Sequence, residues 1–468
     1  MMRLRSAKRC LIVLSSVLLI ACTSVEPPAE VESTSLLPAV VTPKLVEEDR
    51  IKTLFRLHGS NTVGESMAPA LVKSYLRDIG ANDILLIQGD VAVENEIQAN
   101  IEDLGRIRVE LHAHGSSTGF KDLDKGAADF AMSSRPIKSK EVELLQARYG
   151  DLTASNGEHV VALDGVAIIV HPKNPIASLT TSEVAALFAG EAESWADFGW
   201  KGKAVTVYAR DGNSGTWDTF KNLVLKRHKK KLILAAQRFE SSSALVQAVL
   251  ADERAIGFVG LASVGKAKVL AISETKGMVA IKPRAFTVAT EDYPLARRLF
   301  FYTPTNTENR YVREFIDFAL SYDGQSIAEQ QGLISQNLFK IKPEMSDSYP
   351  AVYRSIASKG ERLSLNFRFK TGSEVLDNKS LRDVRRLASY MKERQRGDLV
   401  LLGFSDNQED LSRDMLLSLN RAESVQRELA KHAVDIKTVL GLGALVSIAS
   451  NANEVGRAKN RRVEVWVR

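Results

Sequence analysis

Cysteine is almost missing from this sequence: Cys10 and Cys22 are the only two in 468 residues, and both precede the main body of the chain. That body therefore has no disulfide and no cysteine metal cluster to stabilise it. Long apolar runs are equally scarce. The run from Cys10 to Ile20 is too short to span a bilayer as a helix, and no second run is long enough. The composition, 44% hydrophobic and 26% charged, is that of globular domains.

A large excess of charge is also missing outside the first residues. The formal net charge is +6, but residues 1–21 carry four cations and no anion, and without them the charge falls to +2. This balance gives little support to nucleic-acid binding. One basic run, 226–231, could contact nucleic acid or lipopolysaccharide, but a solvated helix end with C-terminal cations is the simpler interpretation.

The first 22 residues have the pattern of an export signal. Basic residues precede the apolar run, which ends in Leu19-Ile20-Ala21-Cys22. This ending resembles the lipobox of bacterial lipoproteins, which implies that residues 1–21 are a signal peptide and that Cys22 carries a lipid. A plain secretory signal with an incidental Cys22 is the alternative. Thr23 stands where an Asp would favour the inner membrane, and it therefore indicates the outer membrane.

Composition divides the rest of the chain into two folded segments. Residues 22–50 hold four prolines among polar residues and are expected to form a flexible linker. From 51 to 342, short apolar strands alternate with helical patterns, which predicts α/β architecture. A second break, 343–360, is expected to be a linker before a compact segment, 361–468.

Three loops rich in Ser, Thr and Gly each open a predicted helix between 51 and 342. They are 59–64, 115–119 and 210–216. Backbone N–H groups and hydroxyl donors at several helix starts can together hold an oxyanion, and Arg210 could add a bidentate contact. One such loop would be ordinary helix capping, so the prediction of an anion site depends on there being three.

Motifs in the same segment occur in a specific order: GSSTGFK at 115–121, ADFAMSSR at 128–135, DGVAIIV at 164–170 and SGT at 214–216. The segment resembles the phosphate-binding proteins of ABC transporters. This resemblance implies a two-lobed periplasmic binding protein type II fold that closes on phosphate. The contacts that it implies are Thr62, Val63, Ser116, Ser134, Arg135, Arg210, Ser214, Gly215 and Thr216.

One departure from that family concerns the ligand. Many relatives carry an Asp where Ser134 stands, and that carboxylate accepts the proton of hydrogen phosphate and rejects sulfate. Arg135 beside it could favour a more anionic ligand. We expect inorganic phosphate, with another tetrahedral oxyanion, or a lost ligand, as the alternatives.

Two patterns could indicate other chemistry. Residues 115–119 satisfy G-x-S-x-G, the nucleophile motif of hydrolases, but no acid and histidine pair with supporting context follows. His112 and His114 could share a strand face as metal ligands, yet no third ligand has fitting spacing. The sequence therefore predicts no enzyme, no metal site and no cofactor.

The last segment, 361–468, has strand and helix patterns in alternation. Its motifs GFSD at 403–406, LSLNRAESV at 417–425 and GRAKNRRVE at 456–464 resemble the OmpA-like peptidoglycan-binding domain. The resemblance implies a small α+β fold that binds the diaminopimelate of peptidoglycan.

The resemblance also implies the roles of individual residues in this domain. Asp406 would take the ammonium of diaminopimelate, and Arg421 would take its carboxylate, which the Arg fork matches bidentately. A purely structural ion pair between Asp406 and Arg421 is the alternative. Asp414, where many relatives have Asn, and Arg461 are further candidates.

Together these features predict a non-enzymatic envelope lipoprotein that faces the periplasm. Its lipid would hold it in the outer membrane, its last domain would bind peptidoglycan, and the domain between would bind phosphate or a similar oxyanion. The alternative is a structural tether whose middle domain has lost its ligand and serves protein contacts. A protein fixed at both ends would store, capture or sense a ligand rather than deliver it to a permease.

Overall fold

The computed structural model describes residues 51–91, 93–200, 204–212, 214–345, 347, 349–370, 373–394, 398–406 and 410–468. The predicted signal peptide 1–21, the linker 22–50, Cys22 and Thr23 lie outside these residues. None of the helices in the described ranges combines the length and the apolar character that a membrane span requires.

Most strands between 51 and 342 belong to one eleven-stranded sheet. The strands are β1 (Lys52–Gly59), β2 (Asn82–Gln88), β3 (Glu94–Ile101), β4 (Gly105–His112), β5 (Phe130–Ser133), β6 (Glu158–Val170), β7 (Ser178–Thr180), β8 (Thr206–Arg210), β9 (Gln237–Phe239), β10 (Ala255–Gly260), β11 (Lys268–Val269), β12 (Ala271–Ser273) and β13 (Ala296–Tyr302). The sheet runs β2-β3-β4-β1-β5-β13-β6-β10-β8-β9, β11 pairs with β6, and β7 and β12 form a separate pair.

Two central strands, β6 and β13, connect the two halves of this sheet. They are antiparallel, with Ala296 opposite Gly165 at one end and Tyr302 opposite Glu158 at the other. Every residue of β6 after Glu158 is buried. Its near-continuous Val, Ile and Ala content suits a strand that is covered on both faces.

Helices cover both faces of the sheet and divide the segment into two lobes. The helices are α1 (Asn61–Gly64), α2 (Met67–Asp78), α3 (Ser116–Asp124), α4 (Ser139–Tyr149), α5 (Thr181–Ala189), α6 (Gly215–Phe220), α7 (Ser242–Ala251), α8 (Ala285–Ala289), α9 (Arg310–Leu320) and α10 (Tyr322–Gln330). The first lobe holds β1 to β5 with α1 to α4, α9 and α10, and the second holds β7 to β12 with α5 to α8. This is the two-lobed α/β fold that the sequence predicts.

Aromatic clusters form the core of each lobe. In the first lobe the rings of Phe55 and Phe315 stack with their centroids 5.0 Å apart. In the second lobe Phe220 and Phe258 are nearly parallel at 4.1 Å. The first core includes Val161 and Ala162 of β6 and the second includes Val166 and Ile168, so each lobe packs on its own part of this strand.

The C-terminal domain is a second, smaller sheet covered by helices. Its elements are β14 (Lys340–Ile341), α11 (Ala351–Lys359), β15 (Glu361–Arg368), α12 (Asn378–Arg394), β16 (Leu399–Gly403), α13 (Leu411–Ala430), β17 (Thr438–Gly441), α14 (Glu454–Asn460) and β18 (Arg462–Val467). The strand order is β14-β15-β18-β16-β17. The predicted small α+β fold is confirmed.

The predicted linker at 343–360 is wrong in one respect, because it contains the helix α11. Tyr353 and Ile356 of this helix are buried, and Tyr353 meets the ring of Trp466 edge-on at 5.6 Å. The hydroxyl of Tyr353 also donates to Glu464 Oε2 at 2.9 Å. Its apolar residues recur at helical spacing, so burial against the C-terminal sheet stabilises a helix there.

The C-terminal domain contacts both lobes of the binding domain, and residues 50–468 form one compact unit. On the first lobe, Asn378 Nδ2 donates to Thr153 O at 2.8 Å and to Glu158 Oε1 at 3.1 Å. On the second lobe, the backbone N–H of Ser450 donates to Glu274 Oε2 at 3.2 Å. The domain therefore bridges the two lobes.

Charged side chains around Glu291 hold the C-terminal domain against the connecting strand β13. Arg298 of β13 donates to both carboxylate oxygens of Glu291, at 2.6 and 2.8 Å, and to Asp377 of the C-terminal domain at 2.7 Å. Arg368 of β15 reaches Glu291 at 3.2 Å. Burial alone would raise the pKa of Glu291, but Arg298 and Arg368 outweigh it and lower that pKa. Glu291 also has a φ of 59°, so these ion pairs hold an unfavourable backbone conformation.

Asp292, the next residue, makes a second set of buried contacts with the C-terminal domain. Its carboxylate accepts from Arg362 Nη2 at 3.0 Å and from Asn366 Nδ2 at 2.8 Å. Burial would raise the pKa of Asp292, and the surrounding cations, Arg362 first, lower it instead. The charges share partners, since Arg362 also lies 3.2 Å from Glu464 and Arg368 lies 3.8 Å from Asp292. Removal of one charge therefore leaves its neighbours with fewer opposite charges in a desolvated contact.

The contact also contains a buried histidine, from which we predict an acid-sensitive interface. His159 Nδ1 accepts from Arg382 Nη2 at 2.8 Å, and Nε2 lies 3.2 Å from the hydroxyl of Thr303. Burial, followed by the charge of Arg382, lowers the pKa of His159 to about 3. The unfolded chain takes up a proton at this position near pH 6.5 and the folded chain does not, so stability falls as the pH drops below 6.5.

Urea unfolding of the 50–468 chain between pH 7.5 and pH 5 checks this prediction. His159 contributes a slope of about 1.4 kcal/mol per pH unit, and His159→Gln should remove that share. The exposed His432, changed to Gln, serves as the control and should leave the slope as it is. Equal slopes in the wild type and in His159→Gln would contradict the assignment.

Candidate functional site

The cleft between the lobes contains a buried cation, Arg297 of β13. It forms an ion pair with Asp164 of β6, with Nε and Nη2 at 3.1 and 2.9 Å from Oδ2. Nη2 also donates to Thr62 Oγ1 at 2.8 Å and to the carbonyl of Gly215 at 3.1 Å. Burial lowers the pKa of Arg297, and Asp164 acts in the opposite sense. One guanidinium therefore joins the first loop, the third loop and both central strands.

The first and third loops touch each other across the cleft. A side chain at Gly215 would overlap Thr62 Oγ1, so only glycine permits this approach. Val63, next to Thr62, is fully buried. The two lobes are thus in contact at the predicted site.

The second loop meets the end of β5. The backbone N–H of Ser134 donates to Ser116 Oγ at 3.1 Å, and the two hydroxyl oxygens lie 3.4 Å apart. Ser116 is the first residue of α3, so its own N–H belongs to a helix start. The structure therefore brings Ser116 and Ser134 together, as the sequence predicts for two contacts of one anion.

Arg135 makes its polar contacts with neighbouring residues of its own lobe. Its two terminal nitrogens bind Glu141 at 2.8 and 2.7 Å, and Nη2 also donates to Ser117 Oγ at 3.0 Å. Its guanidinium lies 5.4 Å from the ring centroid of Phe120. Burial would raise the pKa of Glu141, but Arg135 and Lys138 together outweigh it and lower that pKa. Glu141 thus neutralises much of the charge that Arg135 brings.

Arg210 binds the segment before α7. Its guanidinium donates to Phe239 O at 3.3 Å, to Glu240 O at 2.7 Å and to Ser242 Oγ at 2.6 Å. Burial lowers its pKa, and Asp211 opposes this shift. These contacts use three of the five N–H donors of Arg210 and hold its guanidinium against the 239–242 segment, so an anion could use only the donors that remain.

The third loop caps α6 through Ser214. Its hydroxyl accepts from the N–H of Trp217 at 3.4 Å, and its own N–H donates to Asp211 Oδ1 at 2.9 Å. Thr216 is half-buried in the first turn of the same helix. The N–H groups of Gly215 and Thr216 begin α6 and face no carbonyl within it, which suits anion binding.

A cavity of about 420 Å³ opens between the lobes beside the second loop. Its lining includes Ser116, Ser134, Arg135 and Lys138 of the first lobe and Asn222 and Lys226 of the second. Lys226 belongs to the basic run that the sequence assigns to a solvated helix end. In the structure this end of the run faces the cavity, where Lys138 and Lys226 approach from opposite lobes and Asp218 adds a carboxylate.

The predicted peptidoglycan residues converge at the end of β16. Asp406 Oδ2 accepts from Arg461 Nη1 at 2.9 Å, and Arg461 also binds Glu454. Arg421 of α13 lies below Phe369, 5.8 Å from its ring centroid, and its Nη1 is 3.5 Å from Phe404 O.

Several buried atoms of this second site have no hydrogen-bond partner in the described ranges. They are Ser405 Oγ, Asp406 Oδ1 and Arg421 Nε. Burial lowers the pKa of Arg421, and Asp406 acts against it, so the two charges sense each other. Asp414 is buried on the same helix as Arg421. Unsatisfied acid and guanidinium atoms side by side fit a ligand that carries both charges.

Comparison with known families agrees with this geometry. A model described as PBP superfamily domain matches residues 79–323, just over half of the chain. A model of the OmpA family matches residues 368–461. The chain therefore belongs to the PBP superfamily and carries an OmpA-family domain at its C-terminal end.

Individual relatives extend this comparison. The chain is 33% identical over 249 residues to "Protein SphX" of Synechococcus elongatus, covering 50% of this chain and 70% of that protein. It is 28% identical over 255 residues to the phosphate-binding protein PstS of Staphylococcus aureus, covering 53% and 75%. An ABC-type phosphate transport receptor structure from Vibrio cholerae aligns over 60% of this chain and 99% of its own, with 23% identity and a TM-score of 0.46.

Sequence reasoning missed the residues that connect the loops. Arg297 is not within any of the quoted motifs, and Asp164 appears only as a family match. Their pairing depends on the register of β6 and β13, which places Arg297 opposite Asp164. Two adjacent arginines at the start of an apolar strand, Ala296–Tyr302, were the available signal, since a buried cation requires a partner.

We predict that Arg297 and Asp164 depend on each other for stability. Arg297→Met leaves Asp164 buried without its partner and should cost about 3–5 kcal/mol of unfolding free energy. The double variant with Asp164→Leu removes both charges and should recover much of that loss. Urea unfolding of both variants measures the difference. A single variant that loses under about 1 kcal/mol would contradict the pairing.

Proposed function

We propose that this protein binds inorganic phosphate, or a similar oxyanion, between its two lobes and holds it without chemical conversion. The proposal depends on two contacts among the loops, that of Ser116 with Ser134 in the first lobe and that of Thr62 with Gly215 across the cleft. Membership of the PBP superfamily and similarity to proteins named for phosphate binding support it.

Helix starts and hydroxyls supply the binding power in this proposal. The first turns of α3 and α6 direct N–H groups and helix dipoles towards the cleft from opposite lobes. Since Glu141 and the 239–242 segment already occupy Arg135 and Arg210, the anion would depend mainly on neutral donors.

The selectivity of this cleft for phosphate over sulfate is expected to differ from that of relatives with a carboxylate at the position of Ser134. A carboxylate repels a fully ionised dianion and accepts the proton of hydrogen phosphate. Ser134 does neither to a comparable degree. We therefore expect phosphate to be preferred over sulfate by a small factor only.

The C-terminal domain, in this proposal, binds the peptidoglycan cell wall through diaminopimelate. Asp406 Oδ1 would accept from the ammonium group, and the guanidinium of Arg421 would donate to the carboxylate. Arg461 would hold Asp406 in place through the bond that it already makes.

Cys22 completes the proposal as the lipid-bearing residue of an outer-membrane lipoprotein that faces the periplasm. The binding domain would then lie between two anchors, and Thr23 would direct the lipid anchor to the outer membrane. Such a protein cannot diffuse to a permease, so capture, storage or sensing of the anion fits it better than delivery.

A structural tether is the second candidate, and two contacts favour it. Arg135 and Arg210, both implied ligands, are engaged with protein groups. In a tether, the middle domain would serve protein contacts and these pairs would be permanent. Calorimetry separates the two candidates.

We predict that the 50–468 chain releases or absorbs heat on titration with phosphate, and that Gly215→Ala weakens the binding at least about tenfold, or about 1.4 kcal/mol. The reason is that the added methyl group would hold the lobes apart at Thr62. Gly212→Ala in the same loop is the matched control, since nothing lies within 4 Å of a side chain there. No heat with phosphate, arsenate or sulfate would favour the tether.

We predict that the same chain sediments with purified peptidoglycan and that Asp406→Ala and Arg421→Ala each abolish most of this binding. Free diaminopimelate should compete for the wild type. Arg427→Ala serves as the control, because this Arg lies on the same helix with its side chain 64% exposed. Sedimentation of both site variants at the wild-type level would refute the assigned residues.

A further inference from the structure

Three histidines and three carboxylates gather at one end of the first-lobe sheet, and only His114 among them lines the cavity between the lobes. Strand pairing brings them together: His58 of β1 lies opposite His112 of β4, and Glu94 of β3 lies opposite His112 from the other side. Glu110 is two residues before His112, so its side chain points to the same face. Helix α3 covers that face and contributes Asp122.

Three of these side chains bring ligand atoms close together. The ring nitrogens of His58 and His112 and a carboxylate oxygen of Glu110 all lie within 4.8 Å of one another. The two imidazole rings are stacked, with centroids 4.1 Å apart and planes inclined by 22°. Glu110 uses one oxygen for Arg108 at 3.0 Å, which leaves its other oxygen available.

The Nε2 nitrogen of His58 is the atom of this cluster whose burial the described contacts do not explain. His58 is 4% exposed, and its Nε2 has no hydrogen-bond partner in the part of the chain that the structure describes. Buried polar atoms are nearly always paired, so an unpartnered imidazole nitrogen beside another imidazole and a carboxylate calls for a cation.

Asp122 prepares His58 for this role. Its Oδ2 lies 3.0 Å from His58 Nδ1, which places the proton on Nδ1 and the lone pair on Nε2. A carboxylate behind a histidine in this way orients the ring and makes it a stronger ligand.

We infer that His58 Nε2, His112 and Glu110 bind one divalent transition-metal ion, with Zn²⁺ the best match. Two imidazoles and one carboxylate form a nitrogen-rich set that suits Zn²⁺ and not Mg²⁺ or Ca²⁺, which prefer oxygen ligands. A tetrahedral zinc site has ligand atoms about 3.4 Å apart, so these atoms need to draw in by up to roughly 1.4 Å. The half-buried ring of His112 also has to rotate out of its stack on His58 so that both lone pairs meet one ion. His114 and Glu94, hydrogen-bonded at 2.7 Å, form a neighbouring pair, since Glu94 lies opposite His112 in the sheet.

The sequence alone does not predict this site, because its histidines are distant along the chain. His112 and His114 suggest a pair of ligands without a third, and the third, His58, precedes them by more than fifty residues. His58 immediately precedes the first anion loop, and His112 lies three residues before the second. A metal ion here would hold the starts of both loops together, and its binding does not depend on any anion.

Zinc titration of the chelator-treated, tag-free 50–468 chain tests the inference. This chain has neither Cys10 nor Cys22, so no thiol competes for the metal. We expect one equivalent of Zn²⁺ to bind by calorimetry and to raise the melting temperature, and X-ray absorption to show two imidazole nitrogens on the metal. Mg²⁺ should produce neither effect.

Variants decide whether these residues are the ligands. His112→Ala, at a half-buried position, should weaken Zn²⁺ binding at least about tenfold, and Asp122→Asn should weaken it about 10- to 100-fold through the orientation of His58. His432→Ala, an exposed histidine of the C-terminal domain, is the control and should bind as the wild type does. Absence of zinc binding, or equal binding by wild type and His112→Ala, would overturn the inference.

Discussion

Two adjacent arginines on one strand, Arg297 and Arg298 of β13, determine how the domains of this protein are joined. Because successive side chains of a strand point to opposite faces, Arg297 faces the cleft and Arg298 faces the C-terminal domain. Arg297 binds Asp164 and the loops of both lobes. Arg298 binds Glu291 and Asp377. A shift of this strand would therefore disturb the cleft and the domain contact together.

Buried charges of this kind are costly unless every one is paired. Their number at the domain contact argues for a single arrangement of the domains, since a rotated C-terminal domain would take Arg368 from Glu291 and Arg362 from Asp292. An apolar contact of similar area would tolerate several arrangements. The positive φ of Glu291 is a further cost that the ion pairs of Arg298 and Arg368 offset.

The sequence predicts local features of this structure better than it predicts partnerships. The helices behind the three loops, the α/β class and the alternating elements after residue 361 follow from periodicity and turn residues. The helix α11 was missed because Tyr353 and Ile356 form a short apolar pattern beside prolines. The sequence does not predict the partners of Arg135 and Arg210. Glu141 has the pattern of a solvent-exposed helix residue, and Glu240 contributes only its backbone carbonyl, which any residue has. The contact between His58 and His112 likewise depends on which strands become neighbours.

The position of β1 has a mechanical consequence. If the proposed anchors hold the lipid at Cys22 and the cell wall at Asp406, any separation of membrane and wall pulls on the start of β1 at Lys52. β1 lies between β4 and β5 and is parallel to both, so a pull along its axis loads many ladder hydrogen bonds at once in shear. Bonds loaded together resist far more force than bonds that break one by one. A strand in the middle of the sheet, rather than one at its edge, is thus the natural place for a load-bearing chain to enter the domain.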